Sequence, residues 1–190
     1  MAGTDLRQRL AAILAADAAD YSRLMAADER ATVTALDAAR AVFRAQIESK
    51  QGRVIDMAGD SVLAVFEIAS GAVAAAIAIQ ERLAAASSGL PEDRRMRFRI
   101  GVHVGDLMEK ADGTVYGDGV NIAARLQGIA EPGGITASDA VKTALRGKVD
   151  ASFEDQGEQT VKNIPGLVRA YRIRAGGAAR PGAAAAQLGS

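Results

Sequence analysis

With 190 residues, 23 Lys plus Arg against 23 Asp plus Glu, and a single His, the chain is formally neutral and long enough for one domain with a sizeable core. Neutrality leaves no basic excess as an electrostatic footprint for nucleic acid, and the few aromatics offer no stacking platform for single strands. Zero cysteines exclude disulfides, thiolate metal sites and a Cys nucleophile, and one His excludes a multi-histidine metal site.

Residues 1–8 read as a short lead-in. Its Asp5 and Arg7, with Arg9, run straight into the first apolar stretch, which is not a signal-peptide pattern; no apolar run approaches the roughly 20 residues that span a bilayer. A cytoplasmic location is expected. Leu10 to Ala16 predicts a buried strand ending at Asp17. From Ser22 to about Ser49 a helical period places Val33, Leu36, Phe43 and Ile47 on one stripe. Gly52 ends it. Arg53 to Ala58 and Ser61 to Phe66 are short strands around a hairpin turn at Gly59-Asp60. Ala69 to Ala86 is a second helix, broken by Ser87-Ser88-Gly89-Leu90-Pro91.

Arg97 to Val104 alternates Phe98, Ile100, Val102 and Val104 against Arg97, Arg99, Gly101 and His103, the pattern of a half-buried strand. His103 then falls on the less apolar face, as a partly buried structural residue. Residues 105–118 predict a hairpin arm with its tip near Ala111-Asp112-Gly113. Gly119 opens a helix to about Ile129. Pro132-Gly133-Gly134 turns into a short strand, and Ser138 suits the N-cap of the next helix. Residues 152–174 predict two closing strands joined by a loop with Lys162 and Pro165. From 175 to 190 the Ala/Gly-rich composition reads as a linker or disordered tail, the mark of a fragment of something longer. The order β-α-β-β-α-β predicts an α+β fold: a ferredoxin-like core with an antiparallel sheet and a C-terminal helix–strand extension, spanning 9–174 as one domain.

Two side-chain sets carry chemistry. Asp17 and Asp60 end strand-like runs, and two carboxylates able to share a metal pair suit a polyphosphate. Asn121 and Arg125 are four apart, so they share a helix face and suit a transition-state clamp. Phosphoryl or nucleotidyl transfer on a nucleoside triphosphate is the expected chemistry. Asp106 and Asp118 read as hairpin and helix-start residues rather than ligands.

The ordered motifs Asp17-x-x-x-Tyr21-Ser22, Gly59-Asp60, Arg99-Ile100-Gly101-Val102-His103-Val104-Gly105 and Tyr116-Gly117-Asp118 through Arg125 resemble the catalytic domain of class III nucleotidyl cyclases, in its bacterial adenylate-cyclase-like branch. The resemblance implies a phosphorus–oxygen lyase converting ATP to 3′,5′-cyclic AMP and pyrophosphate. It assigns Asp17, Ala18 and Asp60 to two Mg²⁺ or Mn²⁺ ions, an oxygen donor set that suits such hard cations. It puts the triphosphate on the backbone around Ala19, Tyr21 and Ser22, where a helix begins. Asn121 then orients the ribose, Arg125 neutralises the phosphate in flight, and Lys162 meets the terminal phosphates.

Two positions depart from the family pattern: Asp20 stands where Gly is usual, and Asp56 where adenylate cyclases usually carry Lys. Asp56 and Thr114 fall at the base-reading positions. They could read adenine, with Asp56 accepting from N6 and Thr114 donating to N1, or serve the guanine edge equally well. GTP as substrate, and a catalytically silent nucleotide-binding module, stay open as alternatives. A diguanylate cyclase is disfavoured because Gly133-Gly134-Ile135 lacks the acids of that family's hairpin. In the resembled family the metal residues and the base and transition-state residues meet across a dimer interface. One chain carrying both sets implies a head-to-tail homodimer.

Overall fold

A computed structural model describes residues 6–176. The first strand, β1 (Leu6–Ala18), starts earlier than the apolar run because Arg7, Gln8 and Arg9 pair with a long fourth strand, in register from Leu6↔Lys110 to Ala18↔Phe98. Residues 6–8 of the expected lead-in are therefore sheet. The expected helix over 22–49 is two helices, α1 (Tyr21–Ala27) and α2 (Glu29–Ser49). Asp28 separates them: its backbone is extended and its carboxylate accepts from the Ala31 N–H at 3.1 Å, an N-cap that starts α2 afresh. The buried stripe of α2 is Thr32, Leu36, Ala39, Phe43 and Ile47. Val33, expected on that stripe, is 43 % exposed. Thr32 takes the inward position, its hydroxyl satisfied by the carbonyls of Leu24 (2.9 Å) and Asp28 (2.7 Å).

The chain continues through β2 (Arg53–Asp56), β3 (Val62–Phe66), α3 (Ala69–Ser87), β4 (Phe98–Lys110), β5 (Val115–Tyr116), α4 (Asp118–Ile129), β6 (Ile135–Ser138), α5 (Asp139–Leu145), β7 (Ala151–Thr160) and β8 (Leu167–Ala175). The sheet order is β2-β3-β1-β4-β6-β8-β7, with β5 paired to β4. Its first four strands are the expected ferredoxin-like core. All pairings are antiparallel except β4–β6, which is parallel from Ile100↔Ile135 to Val102↔Ala137. Residues 1–5 of the expected lead-in and the expected tail from 177 onward lie outside the described residues.

Successive β1 side chains point to opposite faces. Ala12, Leu14, Ala16 and Ala18 join the main core with Phe43, Ile47, Val73 and Ile79 of α2 and α3. Ala11, Ile13 and Ala15 join a second core on the other face, with Val65, Leu107, Val115 and Ala123 of α4. Both faces of the central strands are therefore covered. That corrects the half-buried expectation for β4, where Gly101 is buried under α4 and His103 is buried as well. A Cβ at Gly101 would overlap the Ala123 carbonyl oxygen and the Gln127 amide nitrogen, so only glycine lets α4 lie this close to the strand. His103 is held by Ser138, with 2.7 Å between Nδ1 and Oγ. Ser138 does occupy the N-cap position of α5, but its hydroxyl makes no capping bond because the imidazole has taken it.

Candidate active site

Asp17 is the last outward residue of β1 on the α4 face, opposite Arg99 of β4. Arg99 Nε stands 3.5 Å from Asp17 Oδ1, and both atoms are buried without a hydrogen-bond partner. Burial raises the Asp17 pKa above the ordinary carboxylate value; the Arg99 charge and the nearby Gln127 amide pull it back, and the Asp60 charge pushes it further up. Asp60 therefore lies close enough for its charge to act on Asp17.

Asp60 lies in the β2–β3 turn, closed by the Ser61 N–H on the Ala58 carbonyl at 3.0 Å. Gly59 has φ 58°, a left-handed conformation that a residue with Cβ resists. Arg40 of α2 donates to the Gly59 carbonyl, fixing the turn from behind. An orphaned buried carboxylate oxygen with a second carboxylate close by fits a hard divalent cation. Among the described residues no group of three or more His, Cys, Asp or Glu could complete such a site alone. The remaining positions suit phosphate oxygens and water.

Beyond β1, Asp20 has φ 57° and ψ 32°, the left-handed region. Glycine meets no steric penalty there, and Asp is one of the few side chains that tolerate it. The Asp20 carboxylate lies 4.0 Å from Arg23. The Ala19 N–H is already given to the Arg97 carbonyl at 2.7 Å, so the expected phosphate cradle does not include that donor. Tyr21 and Ser22 open α1, a helix of seven residues.

Asn121 and Arg125 project from α4 and are exposed. Ile122 and Leu126 of α4 pack with Val161, which sets exposed Lys162 beside this helix. The α4 side chain that reaches Asp17 is instead Gln127. Six residues at about 100° each place it well away from the face of Asn121 and Arg125. One chain thus keeps its carboxylates and its Asn–Arg pair on different sides of α4.

Asp56 owes its orientation to a β-bulge. Arg53 pairs with Val65 and Val54 with Ala64, but Asp56, not Ile55, pairs with Leu63. Residues directly opposed share a face, so the extra residue turns Asp56 to the α4 face that also carries Asp17. Thr114 sits just past the arm's tip, its N–H on the Asp112 carboxylate at 2.9 Å. Arg53, three residues before Asp56, donates to the Gly113 carbonyl at 3.4 Å and pairs with Glu109. The segments carrying Asp56 and Thr114 therefore meet at one guanidinium. The sequence assigned no site role to Arg99, which it placed only on the strand and in a motif, or to Gln127. Their signals were the register of β4 against β1 and the helical offset from Asn121.

The sheet thus carries Asp17 and Asp60 near each other, with Asn121 and Arg125 exposed on α4. The profile of the adenylate and guanylate cyclase catalytic domain matches residues 7–175, and the chain belongs to that family. It is 47 % identical over 165 residues to "Putative adenylate cyclase 3" of Rhizobium meliloti (strain 1021), covering 86 % of this chain and 28 % of that protein. It is 30 % identical over 166 residues to adenylate cyclase 1 of the same organism, covering 73 % of this chain and 24 % of that one. The chain thus spans less than a third of the length of these curated relatives. Among solved structures, an adenylate/guanylate cyclase/hydrolase of Silicibacter pomeroyi aligns with TM-score 0.83 and 37 % identity, over 88 % of this chain and 98 % of that one. No helix among the described residues is long and apolar enough to cross a membrane.

Proposed function

We propose that this domain converts ATP to 3′,5′-cyclic AMP and pyrophosphate at sites shared by two copies of the chain arranged head to tail. The observation that carries the reading is the disposition of α4, with Gln127 toward Asp17 and Asn121 and Arg125 exposed elsewhere. A transition-state clamp that cannot turn to its own carboxylates can serve those of a second copy.

In this reading Asp17 and Asp60 hold two Mg²⁺ or Mn²⁺ ions, with the Ala18 backbone alongside. When bound, such ions supply acidity to the ribose 3′-hydroxyl and charge neutralisation to the departing pyrophosphate. Asn121 of the second copy orients the ribose so that its 3′-oxygen lies in line with the α-phosphorus. Arg125 offers a planar, permanently charged fork to the α-phosphate oxygens as the bond to the β-phosphate breaks. Lys162 meets the terminal phosphates, and Tyr21 and Ser22 bound the triphosphate from the α1 side. Asp56 accepts from adenine N6 and Thr114 donates to N1.

The adenylate cyclase names of the relatives favour ATP. The Asp56 carboxylate favours a second reading, guanylate cyclase, because it could accept from guanine N1 and N2. Incubating the purified chain with ATP or GTP plus Mn²⁺ and identifying the cyclic product tests both. Cyclic AMP as the faster product is expected. Faster cyclic GMP would install the second reading, and no product from either nucleotide would make the domain a silent binding module.

A further inference from the structure

Glu109 is a carboxylate shared by two guanidinia from different strands. Its Oε2 accepts from Arg9 of β1 at 3.0 Å and its Oε1 pairs with Arg53 of β2. Glu109 is only 14 % exposed at its side chain, against 25 % for Arg9 and 46 % for Arg53. The same Arg53 reaches the Gly113 carbonyl at the arm's tip. The base of the arm is fixed by other means, because Leu107 and Val115 are buried against Ile13, Val65 and Ile55. The tip lies outside that buried base and is held by the hydrogen bonds of its own turn, Lys110 N–H to the Thr114 carbonyl at 2.8 Å and Gly113 N–H to the Lys110 carbonyl at 2.9 Å, and by Arg53. Residues 110–113 border an open cavity of about 570 Å³ together with Arg7, Arg53 and Glu109.

We infer that the Arg53–Glu109 pair is a specificity clamp: it fixes the position of Thr114 relative to Asp56 and so sets the discrimination between adenine and guanine. Arg53 lies three residues before Asp56, on the strand whose bulge turns that carboxylate to the site face, and its other contact is the residue before Thr114. Arg53 therefore ties the strand that carries Asp56 to the tip residue before Thr114, while the Thr114 carbonyl also accepts from the Lys110 N–H of β4 at 2.8 Å. Base discrimination depends on whether a wrong edge leaves polar groups unpaired, so a sub-ångström change in the spacing of two hydrogen-bonding groups alters it strongly. The β1–β4 ladder and the buried base of the arm remain without the pair, so the fold does not depend on it. Glu109 and Arg53 are positioning residues, acting through Asp56 and Thr114. The inference rests on the proposed assignment of those two residues to the base.

The test uses the whole chain with Glu109→Gln, Arg53→Met and the double variant, beside Asp56→Ala and Thr114→Ala. ATP and GTP are competed against a fluorescent N-methylanthraniloyl nucleotide with Mn²⁺, and kcat/KM is measured for both. Each clamp variant should shrink the ATP:GTP preference by about tenfold or more, chiefly through KM, and the double variant should be no worse than either single one. Thermal midpoints should stay within about 4 °C of wild type. An unchanged ratio in the clamp variants, while Asp56→Ala or Thr114→Ala shifts it, overturns the clamp and leaves the base assignment standing. Equal loss for both nucleotides with a large fall in midpoint makes the pair structural only and also overturns the clamp. An unchanged ratio in Asp56→Ala and Thr114→Ala removes the base assignment and the clamp with it.

Discussion

Arg99 and Asp17 face each other across the β1–β4 pair with 3.5 Å between Nε and Oδ1, neither atom hydrogen-bonded. The contact supplies counter-charge without saturating the carboxylate, which leaves lone pairs for a cation.

Burial raises the Asp17 pKa, so the folded state binds that proton more tightly than the unfolded one. The ionised carboxylate then lowers stability above the folded pKa, and stability is recovered as pH falls through it. Asp17→Asn should abolish turnover yet leave the metal-free thermal midpoint at or above wild type at neutral pH. Added Mg²⁺ should raise the midpoint of wild type and not of the variant. A variant midpoint well below wild type would contradict this account.

Asp17→Ala and Asn121→Ala proteins should each be inactive alone. Mixed, they can form a heterodimer with both lesions in one site and the other site whole. Recovery approaching half the wild-type rate per heterodimer is expected from turnover measured after subunit exchange. No recovery, with exchange demonstrated by mass, would place the whole site within one chain.

Gly101→Ala pushes a methyl group into the Ala123 carbonyl and the Gln127 amide of α4. Overpacking of this kind costs about 1–3 kcal/mol. Because α4 also carries Asn121 and Arg125, turnover should fall at temperatures where circular dichroism still reports a folded protein. Wild-type turnover in the variant would mean that the placement of α4 does not limit the reaction.

Asp20→Gly relieves a left-handed residue but increases the freedom of the unfolded chain by a comparable amount, about 0.5–1 kcal/mol. Stability should hardly move. The loss of a carboxylate beside the turn proposed to hold the triphosphate should lower KM for ATP. A KM that rises would show that Asp20 assists binding.

Burial lowers the His103 pKa from 6.5 to about 4. The unfolded chain therefore takes up a proton that the folded one refuses between those values, and stability falls as pH drops from 6.5 towards 4, by up to about 3 kcal/mol. His103→Gln should flatten this slope in urea titrations at stepped pH. An equally steep slope in the variant would assign the acid sensitivity to other groups.

The β-α-β-β-α-β order was legible in the sequence because strand and helix periods differ and glycines and prolines mark most of the turns between them. Asp17, Asp60, Asn121 and Arg125 could be singled out because their motifs are local; their roles belong to the proposed function. Asp28 and Arg7 to Arg9 misled the reading, since a polar cap and a polar strand end carry no apolar period.

Only the tertiary structure decided the rest, because each remaining feature depends on partners distant in the chain. The β1–β4 register set Arg99 against Asp17, and α4 buried Gly101 on a strand that alone looks half-exposed. The Ala19 donor was lost to Arg97, and the Ser138 hydroxyl to His103. Asp56 reached the site face through one unpaired residue in β2. The period of a strand is two, so a single inserted residue reverses every side chain beyond it, and the bulge exists only in relation to the strand it pairs with.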